Sequence, residues 1–490
     1  MLTAPFLHAY RRYLHPLMLR GLMLLRPLLT GTRLGGGVRH LAMMTDPGSV
    51  ELAGWRAGVD SAGWTHMNAA GASPTSQECH DAVMAHLDLE RAVGGYAAAA
   101  QRPHNAKEAL AALLNADADE VALCESAQRA WNLAFGSLDL KTGDRIICFA
   151  SEYAGNAVAF LQAAKRTGCR LDVLPMRGDG IIDVEALRST LAADGSSGGA
   201  AAGRTVVCLT HIQTGESIVQ PAAEVGALAK AAGALYLLDA CQSVGAMPVD
   251  VRALRCDFAC GTGRKWLRGP RGTGFLYARR GALAAPAEGG HPLVGEPSAL
   301  DHTSARWTAE RKYELAPGAA RYEFWECGVA SAAGLAVAAT QCAAVDPARI
   351  AERSRVLARR LRAGLATVPG VVPRDAPPAF DETAAAALGA ARCAIVTFEA
   401  ESTRGVGARR IVAALAARRI GASASPPTHT FEEALWARPL SVRLSPSYFN
   451  TEAEVDAVVA ALRDVLDELE AEPPPAKGSA PAAQSRRQGQ

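Results

Sequence analysis

The chain predicts an α/β fold: a large domain with a mostly parallel sheet flanked by helices, followed by a smaller α+β C-terminal domain. Three observations predict it. Between residues 144 and 280, short apolar runs rich in β-branched residues alternate with helical stretches, as in parallel βαβ units. Those runs are almost continuously apolar, as strands covered on both faces require. From about Ala336 the texture changes to long helices with few strands.

In order, RIICFA reads as a strand, residues 156–166 as a helix and RLDVLPM as a strand. Asp183 caps the helix VEALRSTLAA. TVVCLT is a strand, PAAEVGALAKAAG a helix closed by Gly233, and ALYLLDA, CDFACGT and GFLYARR are the remaining strands. Residues 196–203 (SSGGAAAG) read as an exposed loop. Beyond Ala336 follow the helices VAATQCAAV and RIAERSRVLARRLRAGLATV and the strands CAIVTFEA and SVRLSP. A last helix spans residues 452–469, capped by Thr451 with Glu454 three residues on. The expected division is a basic extension (1–45), a large domain (46–330), a small domain (331–471) and a Pro/Ala/Gln-rich tail (472–490). That tail buries too little apolar surface to offset ordering entropy, so disorder is expected there.

Residues 1–45 hold six arginines and no acid. They look like a transit peptide or a membrane-surface helix. The alternative is a start at Met43 or Met44, with the preceding stretch untranslated, and that is the expectation adopted. Arg20 and Arg26 interrupt the most apolar run, which stays short of the roughly 18 residues a spanning helix needs.

The 51 Lys+Arg and 49 Asp+Glu leave a net charge of +2, which gives no electrostatic case for a nucleic-acid or membrane partner. Most of the 11 cysteines sit in apolar strand-like stretches. Cys256 and Cys260 form the one close pair, and no second pair completes a zinc pattern, so no metal site is expected. Reduced, buried thiols fit a cytoplasmic compartment.

The chemistry concentrates in LYLLDACQSVGAMPVDVRALRCDFACGTGRKWLRGPRGTGFLYARR. Asp239 ends a buried strand, and an acid there needs a cation or several donors. Lys265 follows a glycine turn in a cation-rich, apolar loop, which favours its neutral, nucleophilic amine. Thr262, Arg264 and backbone amides of the glycine loop suit a phosphate. For any one of these residues a surface loop or a helix cap is an equally good explanation; jointly they match what pyridoxal phosphate requires. The glycines match neither a Walker A loop nor a dinucleotide fingerprint.

This stretch resembles the cofactor motif of class V aminotransferases, including cysteine desulfurases and isopenicillin-N-epimerase-like proteins. The resemblance runs from about Met67 to Leu469 and implies fold type I of the pyridoxal-phosphate enzymes. It implies that Lys265 is the Schiff-base lysine, that Asp239 pairs with the pyridinium nitrogen, and that Gln242 bonds the ring's phenolic oxygen. Thr262 and Arg264 would hold the phosphate, with Arg264 standing where many relatives have histidine. In SEYAGNAVAF, Tyr153 takes the place of the ring-stacking residue. In CESAQRAWNLAF, Gln128 stands where relatives place a phosphate-binding threonine, with Ser126 and the helix start beside it as further options. THIQTGESIVQP places His211 near the cofactor or substrate, or as a plain strand cap. SVRLSPSYFNTEAEVDAVVAAL resembles the C-terminal signature and makes Arg443 the binder of the substrate α-carboxylate. RYEFWECGVA resembles the segment that reaches the partner's site in related homodimers. Glu326 replaces the usual threonine there, while Trp325 and Tyr322 suit an interface.

Cysteine desulfurases use a mobile-loop cysteine, and the corresponding stretch RRIGASASPPTHTFEEALWARPLSVR has none. Cys393 lies upstream on a strand, as a buried thiol. NAAGASP and LERAVGGYAAAA resemble the lyases that act on hercynylcysteine sulfoxide, which eliminate at Cβ without an enzyme cysteine. The expected activity is therefore β-elimination, a C–S lyase acting on a sulfur-containing amino acid. Transamination or epimerisation is the alternative, and a catalytically silent scaffold of the same fold is the reading from another class.

Overall fold

The computed structural model describes residues 49–56, 59, 63–101, 104–196, 203–284, 294–400, 407–426, 430–432 and 438–471. The expectations for residues 1–45 and 472–490, and for most of the 196–203 loop, lie outside these residues. The described residues belong to one compact unit.

Seven strands form the central sheet: β1 (Val121–Cys124), β2 (Arg145–Phe149), β3 (Arg170–Leu174), β4 (Thr205–Thr210), β5 (Leu235–Asp239), β6 (Phe258–Thr262) and β7 (Gly274–Ala278). Their spatial order is β3-β2-β4-β5-β6-β7-β1. All pairings from β3 to β6 are parallel, and β7 is antiparallel to both of its neighbours. The mostly parallel sheet expected from the sequence is therefore present. Sequence reasoning did not identify β1, because VALC is too short an apolar run to declare itself without its partner β7.

Alternation along each strand divides the core into two layers. Ile147, Phe149, Val207, Leu209, Tyr236 and Leu238 pack on one face. Ile146, Cys148, Val206, Cys208, Leu235, Leu237 and Cys260 pack on the other. Buried on both sides, these strands have no polar face to show, which explains their uniform apolarity. The cysteines among them act as small hydrophobes.

The helices that position the cleft are α1 (Gln77–Val93), α2 (Ala106–Leu114), α3 (Ala127–Gly136) and α4 (Ala154–Thr167). A helix α5 (Val329–Val345) packs against α1 and α2. It begins before Ala336, because its small residues are buried against other helices rather than patterned for solvent. No single helix among the described residues is long and apolar enough to cross a membrane.

A second, antiparallel sheet joins β8 (Val371–Pro373), β9 (Val396–Ala400), β10 (Ser423–Ser425) and β11 (Ser441–Leu444) in the order β8-β9-β11-β10. Helices α6 (Pro347–Leu365), α7 (Ala408–Ala417) and α8 (Glu452–Ala471) share its core. The start of α8 is closed by the expected box: Glu454 N donates to Thr451 Oγ1 (3.1 Å), and Thr451 N donates to Glu454 Oε2 (2.9 Å). The stretch from Thr65 to Ala70 ties this half of the chain to the first. Thr65–His66 pairs with Ile420–Gly421, and Asn68 bridges to Ser445.

At Gly274 a Cβ would lie 2.4 Å from the backbone carbon of Ser126, so only glycine lets β7 approach the start of α3. No side-chain rotation relieves a clash with backbone. Gly274→Ala should lower unfolding stability by about 1–3 kcal/mol. Gly178→Ala, which meets nothing within 4 Å, should stay near wild type; denaturant unfolding of both variants is the check.

Candidate active site

β4 and β5 end in register, with Thr210 opposite Asp239, and Asp239 lies opposite Cys260 in β6. Beyond the C-terminal ends of such strands an open α/β sheet binds its ligands. A cleft of about 610 Å³, partly open to solvent, lies there. Of the residues expected from the sequence, Ser126, Gln128, Tyr153, Asp239, Gln242, Thr262, Arg264 and Lys265 line it.

Asp239 is buried at the end of β5. Its Oδ1 accepts from Cys241 N (2.9 Å) and its Oδ2 from Asn156 Nδ2 (3.0 Å). These two donors meet the need of a buried carboxylate. Lys265 is also buried, and burial pushes its amine below the usual lysine range. Arg264 and Arg443 push the same way, against Cys241 and Asp239. Among the described residues no hydrogen bond or ion pair engages its Nζ. An amine of lowered basicity facing a cleft gives up its proton more readily, and the free amine is the nucleophile.

The start of α3 forms the opposite wall. Ser126 caps it, its Oγ accepting from Arg129 N (3.1 Å), so this hydroxyl serves the helix. Ala127 and Gln128 follow at the cleft, where helix N–H groups lack intrahelical partners and favour an anion. Arg264 brings a guanidinium to the same cleft, with Nη1 donating to Gly71 O. Thr262 donates its hydroxyl to Thr273 O (3.1 Å). Gln128 donates to Asn132 Oδ1 (3.0 Å), and its Oε1 lies 1.9 Å from where a Cβ on Gly155 would stand. Glycine at 155 is what leaves room for that side chain.

Other expected residues sit differently. Gln242 is held at both ends, Nε2 donating to Ala70 O (3.1 Å) and Thr214 Oγ1 (3.2 Å) while Oε1 accepts from Trp266 Nε1 (2.8 Å). His211 is buried and is not among the described residues that line the cleft; its Nδ1 pairs with Ser243 Oγ (3.0 Å). Burial pushes its imidazole down to about 4, so it is neutral. Arg443, on β11, lies beside the cleft: Nη1 donates to Thr214 O (2.9 Å) and Nη2 to Asn68 Oδ1 (3.2 Å). Its Nε is buried without an acceptor. Burial first and Arg264 second push the guanidinium down to about 10. Tyr322 corrects an expectation: it is fully buried, with its hydroxyl 3.1 Å from Ser137 Oγ, and is a core residue. Trp325 is half exposed, beside the exposed ring of Tyr96. Cys393 is buried as expected, and burial pushes its thiol up to about 11.

Sequence reasoning did not single out Asn156, Glu152, Thr210, Thr214, Cys241 or Asn68. Asp239, Cys241 and Cys260 bring possible metal-ligand atoms within 4.8 Å of one another. The Cys260 thiol is held far above its usual range by the Cys241 contact and by burial.

A cleft at the strand ends with a buried acid and a buried lysine defines a class of α/β enzyme site. The class-V aminotransferase pattern matches residues 69–458, and the chain belongs to that family. A probable cysteine desulfurase of Methanothermobacter thermautotrophicus is 29% identical over 273 residues, covering 56% of this chain and 64% of that protein. The chain thus spans just under two thirds of that curated relative's length. The apo cysteine desulfurase of Thermococcus onnurineus NA1 superposes with a TM-score of 0.70 at 20% identity, covering 83% of this chain and 95% of the other. The cystine C–S lyase C-DES, in complex with its product cysteine persulfide, superposes with a TM-score of 0.65 at 22% identity, covering 82% and 98%. These likenesses establish the fold, which is fold type I as expected.

The depressed His211 basicity has a pH signature. The unfolded chain protonates this ring near its ordinary value of 6.5, whereas the folded chain waits until about 4. Stability is therefore lost as pH falls between these values, by up to about 3 kcal/mol. Replacing His211 with Asn should flatten this part of the stability profile, as read from unfolding curves taken between pH 7 and 4.

Proposed function

We propose that the protein is a pyridoxal-phosphate enzyme that cleaves the C–S bond of a sulfur-containing amino acid by β-elimination. The observation that carries the reading is that Lys265 and Asp239 line one cleft with the start of α3. The donor set fits the cofactor: an amine of lowered basicity for an aldehyde, a buried carboxylate for a ring nitrogen, and helix amides with a guanidinium for a phosphate. Lys265 would hold the aldehyde carbon, Asp239 the ring nitrogen, and the Ala127 and Gln128 amides with Arg264 the phosphate. Tyr153 would face the ring. Gln242 and Thr262 would reach the cofactor only by exchanging their present protein partners.

When bound, pyridoxal phosphate supplies an electron sink that loosens the bonds at the substrate's Cα. The chain decides which bond breaks. Arg443 would orient the substrate through its carboxylate, its unpartnered Nε marking unused donor capacity. Lys265 Nζ, its basicity lowered by burial, would accept the proton from Cα. Asp239 would keep the ring nitrogen charged.

Elimination is favoured over persulfide relay because the stretch from Arg418 to Arg443 has no cysteine. Cys393 offers neither exposure nor a thiolate. The same fold houses a cystine C–S lyase. We further propose a cytoplasmic homodimer that uses the exposed Tyr96 and Trp325, with residues 46–330 and 331–471 as its two domains.

Protein purified with pyridoxal phosphate should be yellow, and Lys265→Ala should lose that band while unfolding normally; retention of the band would refute the lysine assignment. With cysteine derivatives the enzyme should release pyruvate and ammonia, whereas formation of a new amino acid from a 2-oxo acid would identify a transaminase instead. Arg443→Lys should raise KM by about 10- to 100-fold with a smaller change in kcat, which steady-state kinetics would register.

A further inference from the structure

Glu152 stands immediately behind Asp239 and takes no part in the chemistry described so far. It follows β2 and is 1% exposed. Its Oε1 accepts from Tyr153 N (2.7 Å), from Asn156 Nδ2 (3.1 Å) and from Thr210 Oγ1. The same Asn156 nitrogen donates to Asp239 Oδ2 (3.0 Å). One side-chain amide thus gives a hydrogen to each of two buried carboxyl groups. The other oxygen of Glu152, Oε2, is buried with no partner. Ionised, that oxygen would sit uncompensated in apolar ground, at a cost that protonation removes.

We propose that Glu152 is a positioning residue for Asp239: it fixes the Asn156 amide against the Asp239 carboxylate and holds an exchangeable proton on Oε2. This rests on the reading of Asp239 as the partner of the cofactor's ring nitrogen. With the proton on Glu152, Asp239 is the sole anion at the Asn156 amide. Loss of that proton places a second negative charge one amide away, and a proton on the ring nitrogen is then held more tightly.

The groups facing Glu152 set when the proton leaves. Asp239 approaches from the end of β5, and the thiols of Cys148 on β2 and Cys208 on β4 feel its charge. Thr210, Asn156 and the Tyr153 amide donate to it, while Arg264 acts on the Tyr153 ring and Asp239 acts on Lys265. Burial, reinforced by Asp239, raises the Glu152 carboxyl to about 7 against the three donors. The folded chain therefore holds this proton between the ordinary glutamate value and about 7 while the unfolded chain does not. The contribution of Glu152 to stability is greatest at acid pH and is lost as pH rises through neutrality, opposite in sign to that of a salt-bridged carboxylate.

The test compares wild type with Glu152→Gln, without and with pyridoxal phosphate. In the cofactor-free protein, infrared difference spectra between pH 6 and 8 should show loss of a protonated-carboxyl band in wild type and none in the variant. In the loaded protein, the cofactor absorbance should follow an inflection near neutral pH that Glu152→Gln removes. Asn156→Ala should keep the infrared band but uncouple the absorbance from it. Identical pH profiles for wild type and Glu152→Gln would overturn the proposal. Should Glu152→Gln not fold, Thr210→Val removes one donor from Oε1 and should move the inflection up by about one pH unit; an unmoved inflection overturns the proposal equally. Asp239→Asn separates the two readings. A wild-type spectrum in that variant would mean that the Asp239 assignment is at fault. An altered spectrum, with Glu152→Gln still titrating like wild type, would mean that the relay is at fault.

Discussion

A buried carboxylate at the C-terminal end of a central strand is the constraint around which this protein is arranged. Asp239 sits where β5 stops, buried among strands with no polar face. The chain meets its need for donors with the Cys241 amide and the Asn156 side chain rather than with a direct cation. The negative charge therefore remains available to something in the cleft. Lys265, buried in the same cleft, is shaped by the complementary circumstance, since burial and two nearby arginines lower the basicity of its amine.

The rest of the architecture serves to bring other groups to that strand end. Gly274 lets β7 come close enough to α3 for the helix start to form one wall. Gly155 leaves the space that the Gln128 side chain occupies. The segment through Asn68 meets Arg443, which brings a guanidinium from the C-terminal half of the chain beside the cleft. Asn156 links the site to Glu152, a buried acid whose donors all converge on one oxygen. That arrangement leaves a buried acid at the back of the cleft.

Most of the sheet was legible because burial on both faces leaves only apolar residues to write a strand. RIICFA, TVVCLT and ALYLLDA admit little else. The box at Thr451 and Glu454 was legible for a different reason: its two hydrogen bonds close within one helical turn. β1 was not, since a four-residue edge strand takes its identity from β7, about 150 residues away in sequence. Tyr322 looked like interface material beside Trp325, yet a turn of chain buries it in the core while its neighbour stays half exposed.

The sequence by itself determined the chemical inventory. A strand-ending acid, a lysine after a glycine turn and an arginine beside it are choices of residue type, and residue type sets charge, donors and nucleophilicity. The tertiary structure decided which of these groups face one another and which are already engaged. It tied up both ends of Gln242, set His211 behind the cleft against Ser243, and joined Asp239 to Glu152 through Asn156. The physical reason is that hydrogen-bond engagement and desolvation depend on neighbours far apart in the chain. A one-dimensional pattern carries local spacing and residue type, but it does not say which strand ends will come to lie side by side.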